Sequence, residues 1–161
     1  MNGPVSKPDV AFLVSHPAHF IALGFGSGLA PKAPGTWGTL AALPLYALLN
    51  FALPPLWIAL LCLPLFFLGA WASGKTCSDL GVPDFGGVVV DEIVAMWLVL
   101  AFTPATLAGW GAAFALFRLF DIVKPWPIGW LDARVPGGIG VMLDDVVAAL
   151  YAILGIRILF Q

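Results

Sequence analysis

Long apolar segments set the strongest limit on how this sequence can fold. Residues 54–73, 93–117 and 146–156 contain no charged side chain. An α-helix needs about 20 apolar residues to cross the hydrocarbon core of a bilayer. The first two segments reach this length, and the third is shorter but equally apolar. Segments of this character predict membrane helices, and their succession along the chain predicts an all-α fold.

The composition supports a membrane-embedded bundle. Hydrophobic residues make up 61% of the chain and charged residues 10%, whereas soluble domains carry about 25% charged residues. We therefore expect one compact polytopic domain over residues 1–161, with a polar N-terminal arm at 1–16 and a short helix at 20–29. Four or five membrane helices are expected, at residues 37–50, 55–73, 88–102, 105–122 and 141–159. No run of basic residues suggests a nucleic-acid partner.

Basic residues fall on one side of the predicted bundle. The connections near 50–55 and 103–109 hold no charge. The other connections and the N-terminal region hold Lys7, Lys32, Lys75, Lys124 and Arg134. By the positive-inside rule this side faces the cytoplasm. Arg157, near the far end of the last helix, is the exception.

Two acid pairs stand near the starts of predicted membrane helices. Asp91 and Glu92 begin the helix at 88–102, and Asp144 and Asp145 lie near the start of the last helix. Acids at membrane depth are costly unless a cation pairs with them, and Mg²⁺ prefers carboxylate oxygens. We expect the two pairs to form a single divalent-metal site at a membrane face. The alternative is that each pair is solvated and stabilised only by its helix dipole.

A third motif adds basic residues to the acids. Arg118 and Asp121 are three residues apart, which places them on one helical face, and Lys124 follows one turn later. Asp121 is a candidate for the metal, and Arg118 and Lys124 are candidates for a phosphate, because Arg and Lys are the usual phosphate partners. The alternative is a structural Arg–Asp pair that lets a charge lie at membrane depth.

The segment at residues 24–39 is rich in glycine and proline and contains Lys32 and Thr36. Backbone N–H groups of such a loop can bind an anion, although the spacing is not that of a P-loop. Tight packing of the loop under the bundle is the alternative. Asp84 and Asp132 lie in predicted loops, where a solvated acid is the default expectation.

Several phosphatase chemistries are excluded by the residues present. Neither Cys62 nor Cys77 is followed by the arginine that a cysteine phosphatase needs. No histidine lies among the acid motifs, and His16 and His19 are expected at the surface or the membrane interface. Metal-assisted attack by water remains, in which Mg²⁺ neutralises phosphate charge and lowers the pKa of a bound water.

The motifs together closely resemble those of the phosphatidylglycerophosphatase A family. The resemblance runs from about His19 to Tyr151. It rests on residues 24–31 (GFGSGLAP), 34–39 (PGTWGT), 90–92 (VDE), 117–128 (FRLFDIVKPWPI) and 137–145 (GGIGVMLDD). It implies a bacterial inner-membrane, Mg²⁺-dependent enzyme that removes the terminal phosphate of the phospholipid phosphatidylglycerophosphate to give phosphatidylglycerol. Soluble relatives of the family are all-α bundles.

The resemblance also implies an active site that contains both acid pairs and Asp121. Our hypothesis is that Glu92, Asp144 and Asp145 carry most of the Mg²⁺ ligation, with Asp91 also a candidate ligand. Asp91 or Asp121 would then orient the attacking water, with Glu92 also assigned to catalysis. The phosphate would be bound by Lys32, Thr36, Arg118 and Lys124.

Two functions of other classes compete with a phosphatase. A cation transporter or channel also uses intramembrane acids, but it predicts acids near the bilayer midplane and polar residues on both sides. A small structural membrane protein predicts that Asp→Asn changes are tolerated. Loops dense in Gly, Pro and Trp argue against such a spacer.

Overall fold

A computed structural model describes residues 7–161, and all of the regular structure in that range is helical. The helices are α1 (Val10–Ser15), α2 (Pro17–Ala22), a 3₁₀ helix (Gly24–Leu29), α3 (Pro34–Ala52), α4 (Pro55–Leu80), α5 (Val90–Ala101), α6 (Leu107–Val123), α7 (Ile128–Arg134) and α8 (Gly137–Leu159). The all-α prediction is therefore confirmed.

The short helix α5 lies at the centre of the fold. It contacts α3, α4 and α8 along most of its length, and α6 to a smaller extent. Met96, Val99 and Leu100 on α5 are buried against Phe117 of α6 and Ile156 of α8. Most residues of α5 are buried, including all of its first turn. The first turn therefore holds its side chains inside the protein rather than in solvent.

Helix α4 is longer than the sequence predicted. We expected a break after residue 73, but the helix continues to Leu80 and ends at Gly81, whose left-handed φ of 69° provides the C-cap. The added turns are polar, yet Thr76 and Cys77 are buried. Lys75 and Asp79 form an i,i+4 ion pair, which supports a helix at these positions.

Three other segments differ from their predicted structure. The predicted helix at 20–29 is divided into α2 and the 3₁₀ helix, and the 3₁₀ helix itself is interrupted by positive φ angles at Phe25 and Gly26. The predicted loop at 123–140 contains the additional helix α7. The polar arm was predicted for residues 1–16. Residues 1–6 lie outside the described range, and Val10–Ser15 forms α1, capped by the Asp9 carboxylate.

Two helices in residues 7–161, α4 and α8, are long and apolar enough to cross a membrane. The four or five spans expected from the sequence are thus not confirmed. With a rise of about 1.5 Å per residue, the 12 residues of α5 cover about 18 Å. Many large apolar side chains point outward; Phe51, Leu63 and Phe67, for example, are 89%, 66% and 62% exposed.

Candidate active site

The first turn of α5 buries both of its acids. Asp91 and Glu92 are each less than a tenth exposed. The turn is fixed from outside the helix, because the Val89 N–H donates a hydrogen bond to the Ala22 carbonyl oxygen at 2.8 Å. The positive end of the α5 dipole favours negative charge at these positions.

Helix α8 brings the second acid pair towards the first. Asp144 and Asp145 are buried. The close packing of α8 requires glycine: a Cβ on Gly138 would lie 1.8 Å from the Ala70 carbonyl oxygen of α4, and one on Gly140 would lie 1.8 Å from the Val135 carbonyl oxygen. Gly138 therefore allows the start of α8 to lie close against α4, and Gly140 allows it to lie close against the α7–α8 connection.

Three of these acids form one compact cluster. Asp91, Glu92 and Asp145 each offer a carboxylate oxygen within 4.8 Å of the other two. Asp91 Oδ1, Glu92 Oε2 and Asp145 Oδ2 are buried and have no hydrogen-bond partner among the described residues. Carboxylates this close repel one another, and an unpaired buried charge is costly. Oxygen-only donors in this arrangement fit a hard divalent cation such as Mg²⁺.

Arg118 of α6 supplies the cluster with one positive charge. Its Nη1 bonds to the Asp121 carboxylate and lies 3.8 Å from Glu92 Oε1. All three side chains are at most 14% exposed. Arg118 Nε has no hydrogen-bond partner among the described residues. One guanidinium therefore offsets part of the charge of Asp121 and Glu92.

Lys124 holds a second set of acids. Its Nζ donates to Asp144 Oδ2 at 2.6 Å and to Asp132 Oδ1 at 2.9 Å. Lys124 is the C-cap of α6, with a left-handed φ of 47° that turns the chain towards α7. Burial alone would lower the pKa of Lys124, but the hydrogen bonds to Asp144 and Asp132 outweigh it and raise this pKa above its ordinary value.

The acids line a cavity of about 140 Å³ that opens between α5, α6 and α8. Its wall is largely acidic and contains one lysine. The lining residues are Asp84, Phe85, Gly86, Val88, Asp91, Glu92, Asp121, Lys124, Asp132, Val141, Asp144 and Asp145. All five acids predicted from the sequence for the active site thus meet in one cavity, which we call the acidic cavity.

The glycine-rich segment approaches the site through Gly35. A Cβ on Gly35 would lie 2.3 Å from Glu92 Oε1 and 3.3 Å from Arg118 Nη1, so the start of α3 abuts the Glu92 carboxylate. Thr36 follows Gly35 in the first turn of α3, and Lys32 is exposed two residues before that helix. Neither Lys32 nor Thr36 lines the acidic cavity, so their phosphate-binding role stays a prediction.

Sequence reasoning missed three elements of the site. Asp84 and Asp132, both expected by default to be solvated loop acids, line the acidic cavity. Asp132 also bonds to Lys124, and its spacing eight residues after Lys124 gave no signal because α7 was not predicted. Gly35 was considered only as part of a loop. Its contact with Glu92 depends on how α3 packs against α5 and α6, which a local motif does not specify.

His19 is buried, contrary to the position at the surface or the membrane interface that was expected for it. Its Nε2 lies 2.7 Å from Asp79 Oδ2, and its ring stacks on Phe12 with centroids 4.0 Å apart. These contacts join α2 to α4 and α1. The wrong expectation follows from the unpredicted extension of α4, which carries Asp79.

Known proteins match almost the whole chain. A family model described as phosphatidylglycerophosphatase A matches residues 20–160. A protein of Escherichia coli K12 with the same name is 45% identical over 84% of this chain and 78% of its own length. Another of that name, from Haemophilus influenzae, is 44% identical over 95% of this chain and 92% of its own. A Bacteroides thetaiotaomicron protein, provisionally named a phosphatidylinositol-3-phosphatase, is 43% identical over 86% and 90%. No solved structure matches the chain.

Proposed function

The chain belongs to the phosphatidylglycerophosphatase A family and is a phosphatase, and from this premise we propose that it hydrolyses the terminal phosphate of phosphatidylglycerophosphate. The products would be phosphatidylglycerol and inorganic phosphate. The relatives lend no support to the cation-transporter alternative.

One observation carries the proposed metal dependence of this reaction. Asp91, Glu92 and Asp145 converge, and each has a buried oxygen that finds no hydrogen-bond partner within residues 7–161. Arg118 compensates only part of their charge. We propose that they hold Mg²⁺, with Asp144 beside them as a further ligand. When bound, Mg²⁺ supplies charge neutralisation for a phosphate and a lowered pKa for water.

The side chains around the cluster suit the remaining steps. Asp121 lines the acidic cavity and can accept a proton from the attacking water; the Asp91 carboxylate oxygen that is not bound to Mg²⁺ is the other candidate. The water oxygen bonds to phosphorus, the bond from phosphorus to the glycerol oxygen breaks, and that oxygen takes up a proton. The third N–H of Lys124, which lines the acidic cavity, is available to donate to a phosphate oxygen. Arg118 does not line that cavity and its Nε is buried, so its phosphate-binding role, like that of Lys32 and Thr36, stays a prediction.

We also propose that the protein spans the bacterial inner membrane several times, with the acidic cavity at the cytoplasmic face. The apolar α4 and α8 support membrane insertion, and the outward-facing side chains of Phe51, Leu63 and Phe67 suit lipid contact. Lys124 lies at the cavity and basic residues favour the cytoplasmic side. A site at this face leaves the phosphorylated headgroup in water while the acyl chains stay in the bilayer.

The test is phosphate release from phosphatidylglycerophosphate by detergent-purified protein, with Mg²⁺ and then with EDTA. We expect release to require Mg²⁺ and to be lost in Glu92→Gln. The matched control is Asp9→Asn, because Asp9 is an exposed N-cap and asparagine caps equally well. Release that persists in EDTA would refute the metal proposal. Release from phosphatidylinositol 3-phosphate but not from phosphatidylglycerophosphate would refute the proposed substrate.

A further inference from the structure

A second cavity adjoins the acidic cavity. It has a volume of about 320 Å³ and is formed by α7, the α7–α8 connection and the start of α8. Asp84, Asp132 and Val141 line both cavities. The two cavities therefore share part of their walls. Inorganic phosphate alone would leave the second cavity empty.

Arg134 lines this second cavity, and its charge is not used elsewhere. No carboxylate in residues 7–161 forms a salt bridge with Arg134, whereas Arg118, Lys124 and Lys75 each have at least one. The Arg134 guanidinium carbon lies 5.7 Å from the centroid of the Trp130 ring. Stacking on an aromatic face restrains an arginine and leaves its N–H edges open to an acceptor.

The backbone beside Arg134 also favours an anion. Pro136 and Gly137 line the same cavity, and α8 begins there without a side-chain cap. The first N–H groups of a helix lack intrahelical partners, and the helix dipole adds positive potential. These backbone groups add to the positive potential of the Arg134 guanidinium, which is the main anion-binding group of this cavity.

The proposed substrate has two phosphates. The terminal one is a monoester, and the internal one is a phosphodiester one glycerol unit away, with a single negative charge. We infer that Arg134 binds this internal phosphodiester while the terminal phosphate lies in the acidic cavity. This inference rests on the proposed function. It makes Arg134 a specificity-determining residue that favours substrates with a phosphodiester next to the scissile phosphate. Phosphatidylinositol 3-phosphate also has this pair, whereas phosphatidic acid has the monoester alone.

The test compares substrates with and without the phosphodiester, in lipid and water-soluble form. The lipid pair is phosphatidylglycerophosphate and phosphatidic acid, and the soluble pair is glycerophosphoglycerophosphate and glycerol 3-phosphate. We expect Arg134→Gln to lower kcat/KM about tenfold on the first member of each pair, mainly through KM, and less than about twofold on the second. A fall on phosphatidylglycerophosphate without a fall on its soluble counterpart would still support the inference. It would show that Arg134 recognises the phosphodiester only within a lipid.

Arg157→Gln is the matched control, since Arg157 lies near the opposite end of α8 and lines neither cavity. Activity on the monoester substrates verifies that the Arg134 variant is folded. An equal fall on both members of each pair, or no fall, would overturn the inference while leaving the phosphatase function intact.

A binding measurement tests the phosphodiester site independently of the proposed activity. Glycerophosphoglycerol carries the phosphodiester without a terminal phosphate, so its titration by ligand-observed NMR needs no catalysis. We expect binding to wild type and to Arg157→Gln, and loss in Arg134→Gln. If wild type releases no phosphate from phosphatidylglycerophosphate yet shows this binding pattern, the activity is wrong and the phosphodiester site stands. Equal binding by all three proteins overturns the site.

Discussion

Lys124 Nζ lies 2.6 Å from Asp144 Oδ2, and this contact ties the end of α6 to the acid-bearing part of α8. The two side chains differ in exposure, at 30% for the lysine and 5% for the aspartate. Because the carboxylate is the more buried partner, it depends on the lysine more than the lysine depends on it. Removal of Lys124 would leave Asp144 buried beside other acids without a cation.

We therefore expect Lys124→Met to destabilise the metal-free protein by about 2 kcal/mol, the cost of leaving a buried charged group unpaired. Phosphate release should fall at least about tenfold. Thermal unfolding in detergent measures the first effect. The control is Lys75→Met, which removes a partly exposed i,i+4 partner of Asp79 and should cost at most about 1 kcal/mol. An equal loss in both variants would contradict the special role of Asp144.

The pH dependence of the Lys124 contribution has a definite sign. The hydrogen bonds of Lys124 raise its pKa above the ordinary value of 10.5. The stabilisation is thus fully present below that ordinary value, and it is lost only as the pH rises through the folded-state pKa. The difference in unfolding free energy between wild type and Lys124→Met should stay constant from about pH 7 to pH 9. A difference that declines over this range would show that Lys124 titrates there.

The acid cluster predicts that one substitution changes stability in opposite directions without and with Mg²⁺. Asp145→Asn removes a charge from three crowded carboxylates, so in EDTA we expect this variant to be more stable than wild type by about 1 kcal/mol. With Mg²⁺ the order should reverse, because binding to the folded state stabilises wild type more than the variant. Thermal unfolding with each additive tests both statements. Lower stability of Asp145→Asn in EDTA would mean that the carboxylate has a structural partner.

Much of the site could be predicted because buried acids need a compensating positive charge close to them. Buried pairs such as Asp91–Glu92 and Asp144–Asp145 must share a cation or contact basic residues. The sequence motifs alone were therefore enough to predict that the two pairs lie in one site. The choice of partner could not be predicted. Lys124 reaches Asp144 only because the chain turns at a left-handed residue, and nothing in the local pattern of residues 117–128 specifies that turn.

The errors in the fold have the same origin. The polar residues 74–80 looked like a loop, but burial of Thr76 and the Lys75–Asp79 pair keep them helical. Helix α7 has seven residues, and so short a helix is not stable by its own propensity. Its existence depends on packing against α8, which a single sequence does not reveal.

The buried His19 provides a test of structure apart from catalysis. We expect His19→Phe to keep the stacking on Phe12 but to lose the bond to Asp79, at a cost of about 1–2 kcal/mol in unfolding free energy. The kcat for phosphate release should change less than about twofold, because neither His19 nor Asp79 lines the acidic cavity. A large fall in kcat with unchanged stability would instead connect this cluster to the reaction.

Gly35 offers the sharpest test of the site's geometry. An alanine Cβ there would lie 2.3 Å from Glu92 Oε1, and the carboxylate is the movable partner because it ends a side chain. We expect Gly35→Ala to displace Glu92, weaken the binding of Mg²⁺ and lower kcat/KM about 100-fold. The unfolding temperature should change little. Gly111→Ala is the matched control, since no atom of the described part of the chain lies within 4 Å of a Cβ there. In α6 that change should be neutral or stabilising by up to about 1 kcal/mol. Full activity in Gly35→Ala would mean that Glu92 can move without consequence, which would remove it from the metal site.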